Sequence, residues 1–153
     1  MLTDEQTTDL QFAINDADLE AIDGLLGRLT AQELTELQFY SNSTVLMYSL
    51  ERSTPSVVER LIKHGAKAFE LPWSDNNELK SALRNAQHAP EMVELALRFL
   101  EPELAREMIT SDWDPEDVAE GQAESALQLA EKLTDPRSLQ LLRGAMEGPR
   151  ALT

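Results

Sequence analysis

Few residues of this 153-residue chain have the types and the spacing that catalysis requires. Neither His64 nor His88 has a second histidine or a glutamate at metal-ligand spacing. We expect structural roles for both, with His64 near a helix end and His88 in a turn between helices. No serine lies in a G-x-S-x-G elbow, and no glycine-rich phosphate loop occurs. The sequence therefore predicts a protein that is not an enzyme and that has no cofactor and no metal.

One acidic segment has the alternation of a calcium loop. Asp112, Asp114 and Glu116 occupy alternate positions, but Asp117 stands where such a loop needs glycine. Ala123 stands where a chelating glutamate is required, so the pattern argues against calcium. A hydrolase with a pair of carboxylates stays open as a minor alternative, since acids are numerous but no pair is singled out.

The composition is strongly acidic and free of cysteine. Thirteen lysines and arginines against 28 acids leave a formal net charge of −15. Nucleic acids and anionic membranes would be repelled, whereas a basic protein would be attracted. The alternative is that the charge serves solubility alone. The first residues lack the pattern of a secretory signal, and no apolar run approaches the ~18 residues of a membrane helix, so we expect a cytoplasmic protein.

The spacing of apolar residues predicts short helices arranged in pairs. The clearest pair spans 44–66, where Pro55 suits the first turn of the second helix and Gly65 suits its end. The first helix carries one face formed by Leu46, Ser49 and Leu50, and the second carries one formed by Val57, Val58, Leu61 and Ile62. Ala13 and Ala130 match Ser49 as small residues that would let neighbouring first helices approach closely.

Segment 44–66 resembles an ankyrin repeat. Thr44-Val45-Leu46-Met47 stands in the place of the family's T-P-L-H turn. The run from Val57-Val58 to Gly65-Ala66 matches the family's V-V-x-L-L-L-x-x-G-A closing helix in register. The resemblance implies an all-α fold, a short ankyrin-like solenoid of about four helix pairs. The expected repeats lie near 7–29, 43–67, 78–100 and 123–146, with an insertion near 101–122.

The chain departs from the ankyrin pattern between the expected repeats. The usual hairpin rich in glycine and aspartate is missing, and segments 30–40 and 102–109 look helical instead. We therefore expect extra helices in these places, and a generic helical solenoid is the structural alternative.

Two tryptophans mark the candidate binding residues. Trp73 and Trp113 lie in the expected inter-repeat loops, which a solenoid presents along one edge, and tryptophan is enriched among interface hot spots. The alternative is that each ring folds back onto the core. The polar companions expected on this edge are Tyr40, Asn42, Asp75, Asn76, Asp112, Asp114, Glu116 and Asp117.

The ankyrin resemblance implies a protein-binding module. A compact and very acidic repeat protein suits an inhibitor that occludes a basic partner. Its most concrete form is an immunity protein that inhibits a co-encoded bacterial toxin, for example a nuclease with a basic active site. The alternative is a scaffold or adaptor without an inhibitory role.

Overall fold

The computed structural model describes residues 1–40, 43–70, 76–110, 125–133 and 135–147. These residues form ten α-helices and one short antiparallel pair of strands, so the protein is mostly helical, as the sequence predicts. The helices are α1 (Asp4–Asp16), α2 (Leu19–Leu26), α3 (Ala31–Glu36), α4 (Val45–Arg52), α5 (Pro55–His64), α6 (Glu78–Leu83), α7 (Ala89–Phe99), α8 (Pro102–Thr110), α9 (Ala126–Leu133) and α10 (Pro136–Glu147). The strands are β1 (Gln38–Tyr40) and β2 (Ser43–Thr44).

Side chains that accept hydrogen bonds from the first helical turn start several of these helices. Thr3 forms a capping box with Gln6, and Thr30 forms one with Glu33. Thr44 caps α4 through its hydroxyl group. Each such cap satisfies an N–H group that has no partner within the helix and contributes about 1 kcal/mol.

The end of α5 is fixed by a glycine. Gly65 has φ of +110°, in the left-handed region, and its N–H donates back to the carbonyl of Ile62 at 3.0 Å. A Cβ at this position would lie 2.6 Å from the Cβ of Ala31, so α3 also packs against this helix end. The predicted roles of Gly65 as a helix terminator and of Pro55 in the first turn of α5 are both confirmed.

The helices pack in two rows. Helices α1, α4, α6 and α9 contact one another in that order, and α2, α5, α7 and α10 do the same. Each helix of the first row also packs against the helix of the second row that comes next in the chain: α1 against α2, α4 against α5, α6 against α7, and α9 against α10. Helix α8, predicted as an extra helix near 102–109 and confirmed, packs against α6, α9 and α10.

The second row carries a ladder of ion pairs. An arginine on each of α5, α7 and α10 pairs with an acid on the preceding helix of the row. All of these side chains are exposed, so each pair contributes at most about 1 kcal/mol. The pairs are Arg60 with Asp23, Arg98 with Glu59, and Arg137 with Glu94.

Helix α4 lies in the core of the protein. Every residue from Val45 to Leu50 is buried, because α4 is packed between α1 and α6 and is covered by α5 and the hairpin. Ser49 fits this environment by donating its hydroxyl to the Val45 carbonyl at 2.8 Å. Ala13, on α1, and Ala130, on α9, are buried as well.

Segment 30–40 differs from the prediction. Helix α3 ends at Glu36, and Gln38–Tyr40 pairs with Ser43–Thr44, so the expected continuous helix through Phe39 is wrong. A hairpin is therefore present where none was expected. The cause is local: Leu37 is already extended, its carbonyl accepts the Val45 N–H at 2.9 Å, and the aromatic side chains that follow favour a strand.

Candidate binding surface

Tyr48 of α4 is the centre of an aromatic and polar network. Its ring is buried, and the Phe39 ring of β1 lies edge-on to it with centroids 5.0 Å apart. Its hydroxyl donates to Oδ1 of Asn15 on α1 at 2.8 Å. The network therefore connects α1, β1 and α4.

Tyr40 lies at the solvent side of the same network. The hairpin places its ring 6.1 Å from that of Tyr48, and 53% of the residue stays exposed. Nε2 of Gln11 donates to the Tyr40 hydroxyl at 2.9 Å and to the Tyr48 hydroxyl at 3.4 Å. Gln11 thus holds both phenol groups in place from α1.

Phe12, the next residue on α1, is the more exposed aromatic. Its accessible fraction is 61%, because the core face of α1 is formed by Leu10, Ala13 and Ile14. Asp9 and Asp16 precede and follow it by three and four residues, the spacing that makes side chains neighbours on a helix surface. We call Gln11, Phe12, Asn15, Tyr40 and Tyr48 the tyrosine face.

The charge around the tyrosine face is negative. Helix α1 carries no base, and none of its acids forms an ion pair with another described residue. These acids are Asp4, Glu5, Asp9 and Asp16. Arg52 lies with its guanidinium carbon 5.3 Å from the Tyr48 centroid, but its Nε pairs with Glu51 at 3.4 Å. The positive charge of the guanidinium next to Tyr48 is therefore already compensated.

Two of the predicted binding residues, Tyr40 and Asn76, lie within the described residues. Asn76 is half-buried, and its amide is engaged at the start of α6. Its Nδ2 donates to the Met47 sulphur at 3.7 Å, and its Oδ1 accepts from Arg84 at 2.9 Å. Tyr40 and Asn76 thus pack on Tyr48 and Met47, which are successive residues of α4. The other predicted residues lie outside the described ranges: Asn42, Trp73, Asp75, Asp112, Trp113, Asp114, Glu116 and Asp117.

The sequence reasoning missed Phe12 and Gln11 as candidate surface residues. A signal existed for Phe12, which is out of phase with Leu10 and Ile14 on a helical projection. Gln11 and Asn15 gave no signal, since their role depends on the phenol groups that the hairpin and α4 bring to them.

Glu78, also missed, is a buried carboxyl at the first turn of α6. It is 1% exposed, and burial raises its pKa to about 7. Oε2 accepts the backbone N–H of Phe69 at 3.2 Å, whereas Oε1 has no hydrogen-bond partner among the described residues. A neutral carboxyl fits this position better than a charged one.

The histidines lie at the positions that the sequence predicts, His64 at the end of α5 and His88 before α7. A ring nitrogen of His64, Nε2, lies 2.8 Å from the Leu29 carbonyl and connects α5 to the end of the first helix pair. His88 precedes α7 and lies 3.6 Å from a Glu91 carboxylate oxygen. Within the described ranges, no three histidines or acids cluster as metal ligands, and no helix has the length and hydropathy to cross a membrane.

Comparisons with known proteins give no relative: no protein-family model, no curated protein and no solved structure matches this chain.

Proposed function

We propose that this protein is a binding module that occludes a basic protein partner. The observation that carries the proposal is the tyrosine face, where the rings of Phe12 and Tyr40 are exposed and the acids next to Phe12 on α1, Asp9 and Asp16, have no ion pair with another described residue. Its most concrete form is an immunity protein in the cytoplasm that inhibits a co-encoded bacterial toxin, for example a nuclease.

The packing of the helices supports this class of function. Two rows of helices in register, with an ion pair repeated along the second row, suit an ankyrin-like solenoid of about four pairs. Such stacks present the turns between pairs along one edge, and the β1–β2 hairpin with Tyr40 lies at such a turn. The likeness to an ankyrin stack is an analogy, so the proposed function rests on the chemistry of the surface.

The distribution of charge supports a basic partner. Three arginines of the second row, Arg60, Arg98 and Arg137, are engaged with acids of that row, while the acids of α1 have no ion pair with another described residue. A nuclease binds phosphates through lysine and arginine, so its active site is a positive surface. An acidic protein covering that surface would exclude the nucleic acid and associate at a rate that falls with salt.

A growth assay tests the proposal. Reading frames adjacent to the gene would be expressed singly in a heterologous host, with and without this protein. We expect one of them to encode a basic protein that arrests growth, and co-expression to restore growth through a one-to-one complex that weakens with salt. Absence of any toxic neighbour, or a partner without positive charge, would contradict the proposal. Recovery of two different proteins bound at once without inhibition would instead indicate a scaffold.

A further inference from the structure

We infer that the tyrosine face is the docking site for an arginine-bearing segment of the partner protein. The inference rests on the proposed function and adds the position of the contact and the chemistry of the partner. It places binding on α1, β1 and α4, not only on the edge expected around Trp73 and Trp113.

The first argument is exposure. Phe12 and Tyr40 are each more than half accessible, although the chain has few aromatic residues. Phe39 and Tyr48, which contact each other edge-on, are packed against the body of the protein instead. Exposed aromatic rings next to polar groups are typical anchors of protein interfaces.

The second argument is preorganisation. Gln11 fixes the Tyr40 hydroxyl, and Asn15 fixes that of Tyr48. These groups are carried by α1, β1 and α4, and α4 contacts both of the other elements. A partner would therefore meet rings that are already oriented, which reduces the entropy lost on binding.

The third argument is charge complementarity. Asp9 and Asp16 flank Phe12 on α1 and have no ion pair with another described residue. An arginine satisfies both features of the face at once, since its guanidinium stacks on an aromatic ring and pairs with a carboxylate. Arg52 on Tyr48 shows the same stacking within the chain, with Glu51 as its carboxylate. A second copy of this acidic face would be repelled.

The experiment uses the full chain, labelled with ¹⁵N, and a defined probe. The probe is a synthetic amphipathic peptide of about three helical turns with arginines on one face and leucines on the other. A matched peptide with citrulline in place of every arginine keeps the shape and removes the charge. We expect amide shifts concentrated in residues 8–16, 38–40 and 48, and affinity about tenfold lower for the citrulline peptide.

Variants of the chain localise the effect. Phe12→Ala combined with Tyr40→Ala should weaken the arginine peptide about tenfold, because both rings are lost. Leu133→Ala combined with Met146→Ala is the control, since these side chains are also exposed and apolar but lie on α9 and α10. Phe12→Gln and Asp9→Asn change single exposed positions, and thermal unfolding would verify that each variant keeps the fold.

Several outcomes would overturn the inference. Shifts confined to α8 or α10, equal binding of both peptides, no binding, or unchanged affinity of the Phe12→Ala and Tyr40→Ala variant would each do so. If the chain instead self-associates in a concentration-dependent way that Phe12→Ala abolishes, the occupant of the tyrosine face is a second copy of this chain and not an arginine-bearing segment. Failure of the proposed function looks different: the peptide result would stand, but the native partner would prove not to be basic. Conversely, a native inhibitory complex that tolerates loss of both rings would overturn this inference alone.

Discussion

The backbone N–H of Phe69 donates to Oε2 of Glu78 at 3.2 Å, while Oε1 of the same carboxyl has no partner among the described residues. The carboxyl is almost completely buried, and this burial raises its pKa to about 7. The backbone N–H groups that favour the charged form, those of Glu78 itself and of Phe69, do not compensate the loss of water around a charged carboxylate. Glu78 therefore makes the stability of the fold depend on pH.

The first prediction concerns this pH dependence. In the unfolded chain Glu78 ionises near 4.5, and in the folded protein near 7, so unfolding releases a proton between these values. The free energy of unfolding should then fall by about 3 kcal/mol as the pH rises through this window. Glu78→Gln should remove this fall and be about 2 kcal/mol more stable than the wild type at pH 8, allowing for the amide's own unpaired N–H.

Urea unfolding at several pH values measures this effect. Glu103→Gln on the exposed side of α8 is the matched control, and its pH profile should follow that of the wild type. Parallel profiles for Glu78→Gln and the wild type between pH 4.5 and 8 would show that Glu78 is not the group responsible.

The second prediction concerns Gly65. Alanine there would have to adopt φ of +110° and would bring its Cβ to 2.6 Å from that of Ala31. We expect Gly65→Ala to lower the free energy of unfolding by about 2–4 kcal/mol. Gly24→Ala is the control, because nothing lies within 4 Å of its Cβ and alanine favours the interior of α2, so stability should rise by about 0.5–1 kcal/mol.

A double variant separates the two causes at Gly65. Ala31→Gly removes the steric contact but leaves the backbone conformation unfavourable for alanine. Combined with Gly65→Ala, it should therefore recover only part of the loss, relative to Ala31→Gly alone. A Gly65→Ala protein as stable as the wild type would contradict both explanations.

The third prediction concerns Asn85, a buried residue between α6 and α7. Its Nδ2 donates to the carbonyls of Leu50 and Ser53, both at 3.0 Å, and its Oδ1 accepts from the backbone N–H of Gln87 and His88. Asn85→Ala would leave four backbone groups without these bonds and should cost about 2–4 kcal/mol in thermal unfolding. Asn85→Asp keeps the acceptor and loses the donor. An Asn85→Asp protein as stable as the wild type would therefore refute the role of Nδ2.

The local signals in the sequence predicted much of the helical structure. Pro55 and Gly65 mark the start and end of α5 because each acts through its own backbone conformation. The β1–β2 hairpin was missed because the strands are short and the sequence between them contains neither the expected glycine nor aspartate. The spacing of Leu34 and Leu37 continues a helical pattern in the sequence. In the structure the helix ends before Leu37, whose backbone is in the β region.

The candidate site was less accessible from the sequence. Tyr40 was identified from its position between expected repeats, but its partner Gln11 is distant in the chain and is brought near by α1 packing on α4. The burial of polar groups could not be predicted from the sequence either. Glu78 and Asn85 look like ordinary surface residues in the sequence, and only the packing of α6 between its neighbours removes them from water.

The last prediction tests whether the tyrosine face is a coupled network. Tyr48→Phe removes the hydroxyl that donates to Asn15 at 2.8 Å and accepts from Gln11 at 3.4 Å. In a double-mutant cycle with Asn15→Ala, measured by urea unfolding, we expect a coupling energy of about 0.5–1.5 kcal/mol. The cycle of Tyr48→Phe with Gln11→Ala should give a smaller value, because that contact is longer and Gln11 bonds more closely to Tyr40. If instead the effects of Tyr48→Phe and Asn15→Ala add within about 0.3 kcal/mol, the 2.8 Å bond does not hold the face together.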